Sequence, residues 1–67
     1  MSVTKVIELN ASSVNGVEDA VKQGLKKASA TVKNICGVWV NEIKATTHGD
    51  GSIKEWRVNM RISFVVD

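Results

Sequence analysis

The last quarter of the chain alternates between apolar and polar residues with a period of two. The apolar positions are all even: Trp56, Val58, Met60, Ile62, Phe64 and Val66. The odd positions between them are mostly polar: Arg57, Asn59, Arg61 and Ser63. Because successive side chains of a strand point to opposite faces, this pattern predicts a strand with one apolar face and one polar face. We expect it to run from Ile53 to Val66, well beyond the usual length of about five or six residues.

A second apolar pattern, with helical spacing, precedes this strand. Apolar residues recur three or four positions apart at Val14, Val17, Val21, Leu25, Ala28, Val32 and Ile35. The spacing predicts an amphipathic helix that begins near Val14 and is broken between Asn34 and Gly37. Ser12 or Ser13 is expected to cap its start. This helix, about 30 Å long, is predicted to cover the apolar face of the last strand.

Two further strands complete the predicted elements. The first runs from Val3 to Leu9 and the second from Val38 to His48. In the second strand Ile43 falls out of phase with the preceding valines, and a bulge or bend near Asn41-Glu42 restores the alternation. Asp50-Gly51 is a strong hairpin signal that joins the second strand to the third.

The order strand, helix, strand, strand fixes a topology. A right-handed crossover leaves a gap between the first two strands, and the hairpin places the third strand in that gap. The predicted fold class is α+β: a β-α-β-β domain over residues 1–67, with a three-stranded antiparallel sheet (order 1-3-2) wrapped around one helix. One helix covers one face of the sheet, so copies of the same chain are expected to bury the other.

Size and composition strengthen the case for self-association. A chain of 67 residues is marginally stable without a disulfide, a metal or a partner. Cys36 is the only cysteine and His48 the only histidine, which excludes an internal disulfide and leaves no second ligand of either type for zinc. Cys36 itself is expected to be a small buried hydrophobe. The remaining supplement is oligomerisation.

Charge and motifs exclude several function classes. The net charge of +2 does not favour nucleic acid as a partner. The sequence predicts no signal peptide and no membrane-spanning segment, so a cytoplasmic protein is expected. Nucleophile-base pairs, suitably spaced acid pairs and phosphate-binding glycine loops are all missing from the pattern, and the protein is predicted not to be an enzyme.

The chain resembles the dodecin family over nearly its whole length. The segments that carry the resemblance are Lys5-Val6-Ile7-Glu8-Leu9, Ser12-Ser13-x-x-Gly16, Val40-x-x-Ile43-Lys44, the Asp50-Gly51 hairpin and Val58-x-Met60-x-Ile62-x-Phe64. The resemblance implies a small cytoplasmic protein whose sheet wraps one helix and whose twelve copies form a hollow shell with tetrahedral symmetry. It also implies a store for flavins, namely riboflavin, FMN or FAD, which many members bind in pairs.

The family's flavin pocket is altered in this sequence. Alignment puts the tryptophan that stacks on the flavin ring at Gly37, and the glutamine that hydrogen-bonds the ring at Arg57. Trp39 lies two residues further on and offers either a displaced stacking platform or interface packing. Lys44 matches a basic residue that the family associates with ligand phosphate. The implied ligand-binding residues are therefore Gly37, Trp39, Lys44 and Arg57, with flavin binding expected to be weakened.

The expected oligomer interface joins the polar face of the last strand to the first strand. Its residues are Arg57, Asn59 and Arg61 of the last strand and Glu8 of the first. The two arginines are interpreted either as partners in salt bridges between subunits or as contacts for an anion. No metal site is predicted within one chain. As an alternative function, the shell binds no flavin and holds anions or calcium at its symmetry axes, as in a flavin-free branch of the family that includes calcium-binding members. Calcium would require acidic side chains of several subunits to converge: Glu42, Asp50 and Glu55.

Overall fold

The computed structural model describes residues 2–66 as one sheet with a single helix packed against it. Its elements are β1 (Val3–Ser13), α1 (Val17–Ser29), β2 (Ile35–Thr47) and β3 (Ile53–Val66). The strand order is β1-β3-β2, and both outer strands run antiparallel to β3. The predicted α+β class, the element order and the 1-3-2 topology are confirmed.

The two faces of the sheet differ in what covers them. On the helix face, Val58, Met60 and Ile62 of β3 are completely buried beneath α1. The opposite side, which we call the open face, carries no helix. Strand registers assign the following residues to it: Val6, Glu8, Asn10 and Ser12 of β1; Arg57, Asn59, Arg61 and Ser63 of β3; and Gly37, Trp39, Glu42 and Lys44 of β2.

The helix lies close to the sheet because its buried positions are small. Ala20, Gly24 and Ala28, spaced four residues apart, are its buried residues. A Cβ atom on Gly24 would lie 2.5 Å from Met60 Cε, closer than two carbon atoms approach without displacement. The predicted stripe therefore had the wrong centre. Val21 and Leu25 are only half-buried, since the row of small residues lets α1 approach the sheet more closely than branched side chains would.

The helix is also shorter than its apolar spacing predicted. It spans 13 residues, about 20 Å at 1.5 Å per residue, and not the predicted 30 Å. Val14 lies before it and is 74% exposed, while Ile35 begins β2. Gly16, with a φ of 132° that favours glycine, precedes the first helical residue and no side chain caps it. The predicted serine cap is wrong because Ser13 still belongs to β1.

The boundaries of β1 and β2 differ from the predicted ones. β1 continues four residues past the predicted end, to Ser13, because β3 is long enough to pair with all of it. β2 runs from Ile35 to Thr47 and not from Val38 to His48. The predicted bulge is confirmed: the register of β2 against β3 shifts between Val40 and Glu42. Cys36 was expected to be buried, but it lies at another register shift in β2 and is exposed.

The protomer is strongly elongated. Its extents are 52 × 19 × 13 Å and its radius of gyration is 13.8 Å, against about 11 Å for a compact chain of this length. Many large apolar side chains are consequently exposed: Val3, Val6, Val14, Trp39, Val40, Ile43, Ile53 and Val66. No helix within residues 2–66 is long and apolar enough to cross a membrane.

Candidate functional site

A hydrogen-bonded network centred on Glu8 lies in the middle of the open face. Glu8 Oε2 accepts hydrogen bonds from Asn59 Nδ2 at 3.0 Å and from Arg61 Nε at 3.2 Å. The Asn59 amide also donates to Asn41 Oδ1 at 3.4 Å. These bonds favour the ionised carboxylate, and they lower the pKa of Glu8, with the bond from Asn59 as the largest cause and that from Arg61 as the next.

Two cations face each other further along the same face. Lys44 of β2 is the direct register partner of Arg57 of β3, and like charges in such positions repel. Arg57 Nε donates to Glu55 Oε1 at 3.1 Å, which offsets one of the two charges. Across residues 2–66 the side chain of Lys44 has neither a hydrogen bond nor an ion pair. A shallow groove of about 200 Å³ is lined by Asn10, Glu42, Lys44, Arg57 and Asn59.

A larger and more apolar groove surrounds Trp39. It has a volume of about 610 Å³ and is lined by Val6, Trp39, Asn41 and Arg61. Trp39 is 58% exposed and is the register partner of Arg61. Asn41 is the additional residue of the bulge in β2, and its side chain reaches the open face beside Trp39. Bulges commonly redirect a side chain toward a site in this way.

The four predicted ligand-binding residues all lie on the open face but do not form one pocket within a chain. Gly37 pairs with Ser63, and Lys44 pairs with Arg57. Six residues of extended strand separate the two pairs, about 20 Å at 3.3 Å per residue. Trp39 lies between them, opposite Arg61, which is four residues of β3 from Arg57, or about 13 Å.

The four predicted interface residues also share the open face, where they bond within the chain. Glu8, Asn59 and Arg61 form the central network, and Arg57 pairs with Glu55 of its own strand. Sequence reasoning missed Val6 and Asn41 as neighbours of Trp39. The predicted bulge was the available signal for Asn41, because an additional residue in a strand redirects its own side chain.

Acidic side chains do not gather into a cation site within the described chain. Among residues 2–66 there is no group of three histidine, cysteine, aspartate or glutamate residues placed to hold a metal ion. Asp50 serves the hairpin turn: Ser52 N and Ser52 Oγ donate to its Oδ1 at 2.9 Å and 2.6 Å. The same bonds lower the pKa of Asp50. Within residues 2–66, Glu42, Asp50 and Glu55 are therefore not brought together as a group.

These features together define a class: a small β-α-β-β protein in which one sheet face holds the helix and the other, extended and polar, carries the candidate binding residues. The chain belongs to the dodecin family, whose sequence profile matches residues 3–67. It is 32% identical over 62 residues to the dodecin of Thermus thermophilus, an alignment that covers 92% of this chain and 88% of the relative.

Solved structures agree with this assignment. The dodecin from Streptomyces davaonensis superposes with a TM-score of 0.90 at 30% identity, covering 98% of this chain and 96% of the other. The calcium dodecin of Mycobacterium tuberculosis, described as a calcium-chelating antigen with a novel calcium-binding site, superposes with a TM-score of 0.83 at 27% identity, covering 98% and 93% of the two chains.

Proposed function

We propose that this protein is a cytoplasmic, non-enzymatic dodecin that assembles into a hollow homododecamer and stores a planar small molecule, with a flavin (riboflavin, FMN or FAD) as the first candidate. The match to the dodecin family over residues 3–67 carries this proposal. The elongated protomer supports it, because a 52 Å ribbon with an uncovered sheet face gains stability when copies cover that face. Function is then passive: burial and stacking lower the concentration of free ligand.

Flavin affinity is expected to be lower than in a pocket with tryptophan and glutamine at the aligned positions. Gly37 provides no ring, and loss of an aromatic stacking partner removes about 1–3 kcal/mol by analogy with base stacking. Arg57 offers donors but no acceptor, so the ring N–H of a flavin loses its partner there. Its Nε atom is moreover bound to Glu55.

Titration of riboflavin with the purified protein tests the proposal directly. We expect quenching of riboflavin fluorescence with a dissociation constant in the micromolar range, alongside a twelve-subunit mass by light scattering. Absence of quenching at about 100 μM protein, in a sample that is fully assembled, would reject flavin storage while leaving the assembly intact.

Restoring the aligned pocket provides a second test. Gly37→Trp combined with Arg57→Gln is expected to tighten riboflavin binding at least tenfold. A Cβ on Gly37 would lie 3.0 Å from Ser63 Oγ, so a triple variant that adds Ser63→Gly removes the steric conflict. If neither variant binds more tightly than the wild type, the pocket is closed for reasons other than these two residues.

A second candidate function is a flavin-free shell that binds anions or calcium. The pairing of Lys44 with Arg57 favours an anion, because an anion between them would relieve their repulsion. The calcium dodecin relative suggests the cation. Calorimetric titration of the assembled protein with phosphate and with calcium separates these possibilities from flavin storage. Heat from phosphate alone that is lost in Lys44→Ala would favour the anion.

A further inference from the structure

The groove around Trp39 combines features that a ring-shaped ligand requires. It offers an aromatic side chain that is 58% exposed, beside Val6, which is 50% exposed. Its volume of about 610 Å³ falls within the usual range of small-molecule sites, about 300–1,000 Å³.

The polar atoms at the edge of this groove are donors. Arg61 uses Nε to bind Glu8, which fixes the guanidinium and leaves its terminal NH₂ groups available. The Oδ1 atom of Asn41 accepts from Asn59, so the Asn41 NH₂ group is also available. A complementary ligand therefore has a flat aromatic face and acceptor oxygens on one edge.

We infer that Trp39, Arg61 and Asn41 form the ligand subsite of this chain, and that it takes a planar heteroaromatic ring bearing carbonyl acceptors along one edge. This inference rests on the proposed storage function but shifts the site from the Gly37/Arg57 positions to Trp39/Arg61. Trp39 supplies the stacking surface and Val6 the apolar floor. Arg61 and Asn41 donate to the carbonyl edge, and Glu8 and Asn59 hold those two donors in place.

A single-tryptophan protein makes the site observable. The chain has two tryptophans, Trp39 and Trp56, and Trp56 lies at the hairpin end of β3, paired with Ala45 and Ser13. In a Trp56→Phe background, indole emission reports Trp39 alone. We expect riboflavin to quench this emission with the same midpoint that flavin fluorescence gives.

Variants then test each contact. Trp39→Ala is expected to weaken riboflavin binding about tenfold or more, with Trp39→Phe intermediate. Arg61→Gln is expected to weaken riboflavin binding, whereas Arg57→Gln alone is not, which distinguishes the two positions. Trp56→Phe and Lys54→Gln, which alter a tryptophan and a charge outside the groove, serve as matched controls. If Trp39→Ala binds riboflavin within threefold of the wild type, the inference is wrong although flavin storage stands.

Two further outcomes separate this inference from its alternatives. Xanthosine is a non-flavin ring with two ring carbonyls: if it quenches Trp39 and riboflavin does not, flavin storage is rejected and the subsite stands. If neither ring changes Trp39 emission at millimolar concentration, the subsite is rejected. The remaining candidate for the groove is a second copy of the chain, which light scattering of Trp39→Ala tests. Dissociation of the assembly by this substitution would identify Trp39 as a contact between copies.

Discussion

The two faces of the sheet are built from the same three strands but differ in burial and in side-chain chemistry. The helix face buries Val58, Met60 and Ile62 completely under a row of small helical residues. The open face instead holds charged and amide side chains that are hydrogen-bonded at Glu8 and mostly exposed. The first face contains nearly all of the burial that one protomer achieves. The second carries nearly all of the side chains assigned to ligand binding and to the interface.

The contrast teaches which substitutions a relative of this protein can accept. On the helix face a change of one methylene alters packing, because interiors are close-packed. On the open face the side chains project away from the protomer core, so exposed residues such as Trp39 and Arg57 are expected to change without unfolding the chain. Ligand preference can therefore diverge on the open face while the fold is maintained by the helix face.

The largest expected effect comes from the helix face. Met60→Ala is predicted to lower the free energy of unfolding by about 2–5 kcal/mol, because Met60 is fully buried and contacts the helix at Gly24. Urea denaturation at fixed protein concentration measures this. Lys54→Ala, an exposed position of the same strand, is the control and should change stability by less than about 0.5 kcal/mol.

The same experiment tests whether the two faces differ in how tightly they are packed. Asn59→Ala, next to Met60 but on the open face, is expected to cost less than Met60→Ala. If its cost equals that of Met60→Ala in the assembled protein, the open face is as tightly packed in the assembly as the helix face is in the protomer. A loss below about 1 kcal/mol for Met60→Ala would contradict the assigned core.

A smaller effect is expected on assembly. Arg57→Glu places an acid opposite Lys44 but also removes the ion pair with Glu55. Circular dichroism must therefore show that the variant is folded before a change in association is assigned to contacts between copies. We predict that it raises the protein concentration at which the oligomer dissociates by at least tenfold, or about 1.4 kcal/mol. Size exclusion with light scattering measures this, with Lys26→Glu on the exposed side of the helix as control. Equal dissociation of the two variants would mean that the open face is not the interface.

The sequence was sufficient for the fold because its strongest patterns are periodic and local. The alternation in β3, the Asp50-Gly51 hairpin and the phase error around Ile43 predicted the central strand, the hairpin and the bulge. The helix ends were not predicted, because apolar residues at Val14 and Ile35 continue the helical spacing by chance. The helix itself begins only after Gly16 (φ 132°) and already ends at Ser29.

The candidate site was predicted only in part. Residues on one strand face can be inferred from parity, and all the predicted site residues indeed lie on the open face. Their grouping cannot be inferred, because it depends on the register between β2 and β3. That register separates Gly37 from Arg57 by about 20 Å and brings Trp39 next to Arg61.

The smallest predicted effect concerns the protonation of Glu8. Its pKa is lowered in the folded protein, first by the Asn59 amide and then by Arg61. A carboxylate whose folded pKa lies below its unfolded pKa stabilises the fold above the unfolded value and loses this contribution as the pH falls through the folded one. Acidification through the ordinary carboxyl range should therefore destabilise the wild type more than Asn59→Ala, in which the main cause of the shift is missing.

Carboxyl ¹³C NMR titration of Glu8 checks this, because Asn59→Ala should raise the pKa toward the ordinary value. Asn10→Ala is the matched control: Asn10 is the register partner of Asn59 on the open face, yet within residues 2–66 it makes no side-chain hydrogen bond to Glu8. An unchanged pKa in Asn59→Ala would show that Arg61 alone holds the carboxylate. In that case the bond of Arg61 to Glu8 would be stronger than the network implies, and Arg61 would be a weaker donor to the ligand. Asn41 would then be the principal donor in the Trp39 groove.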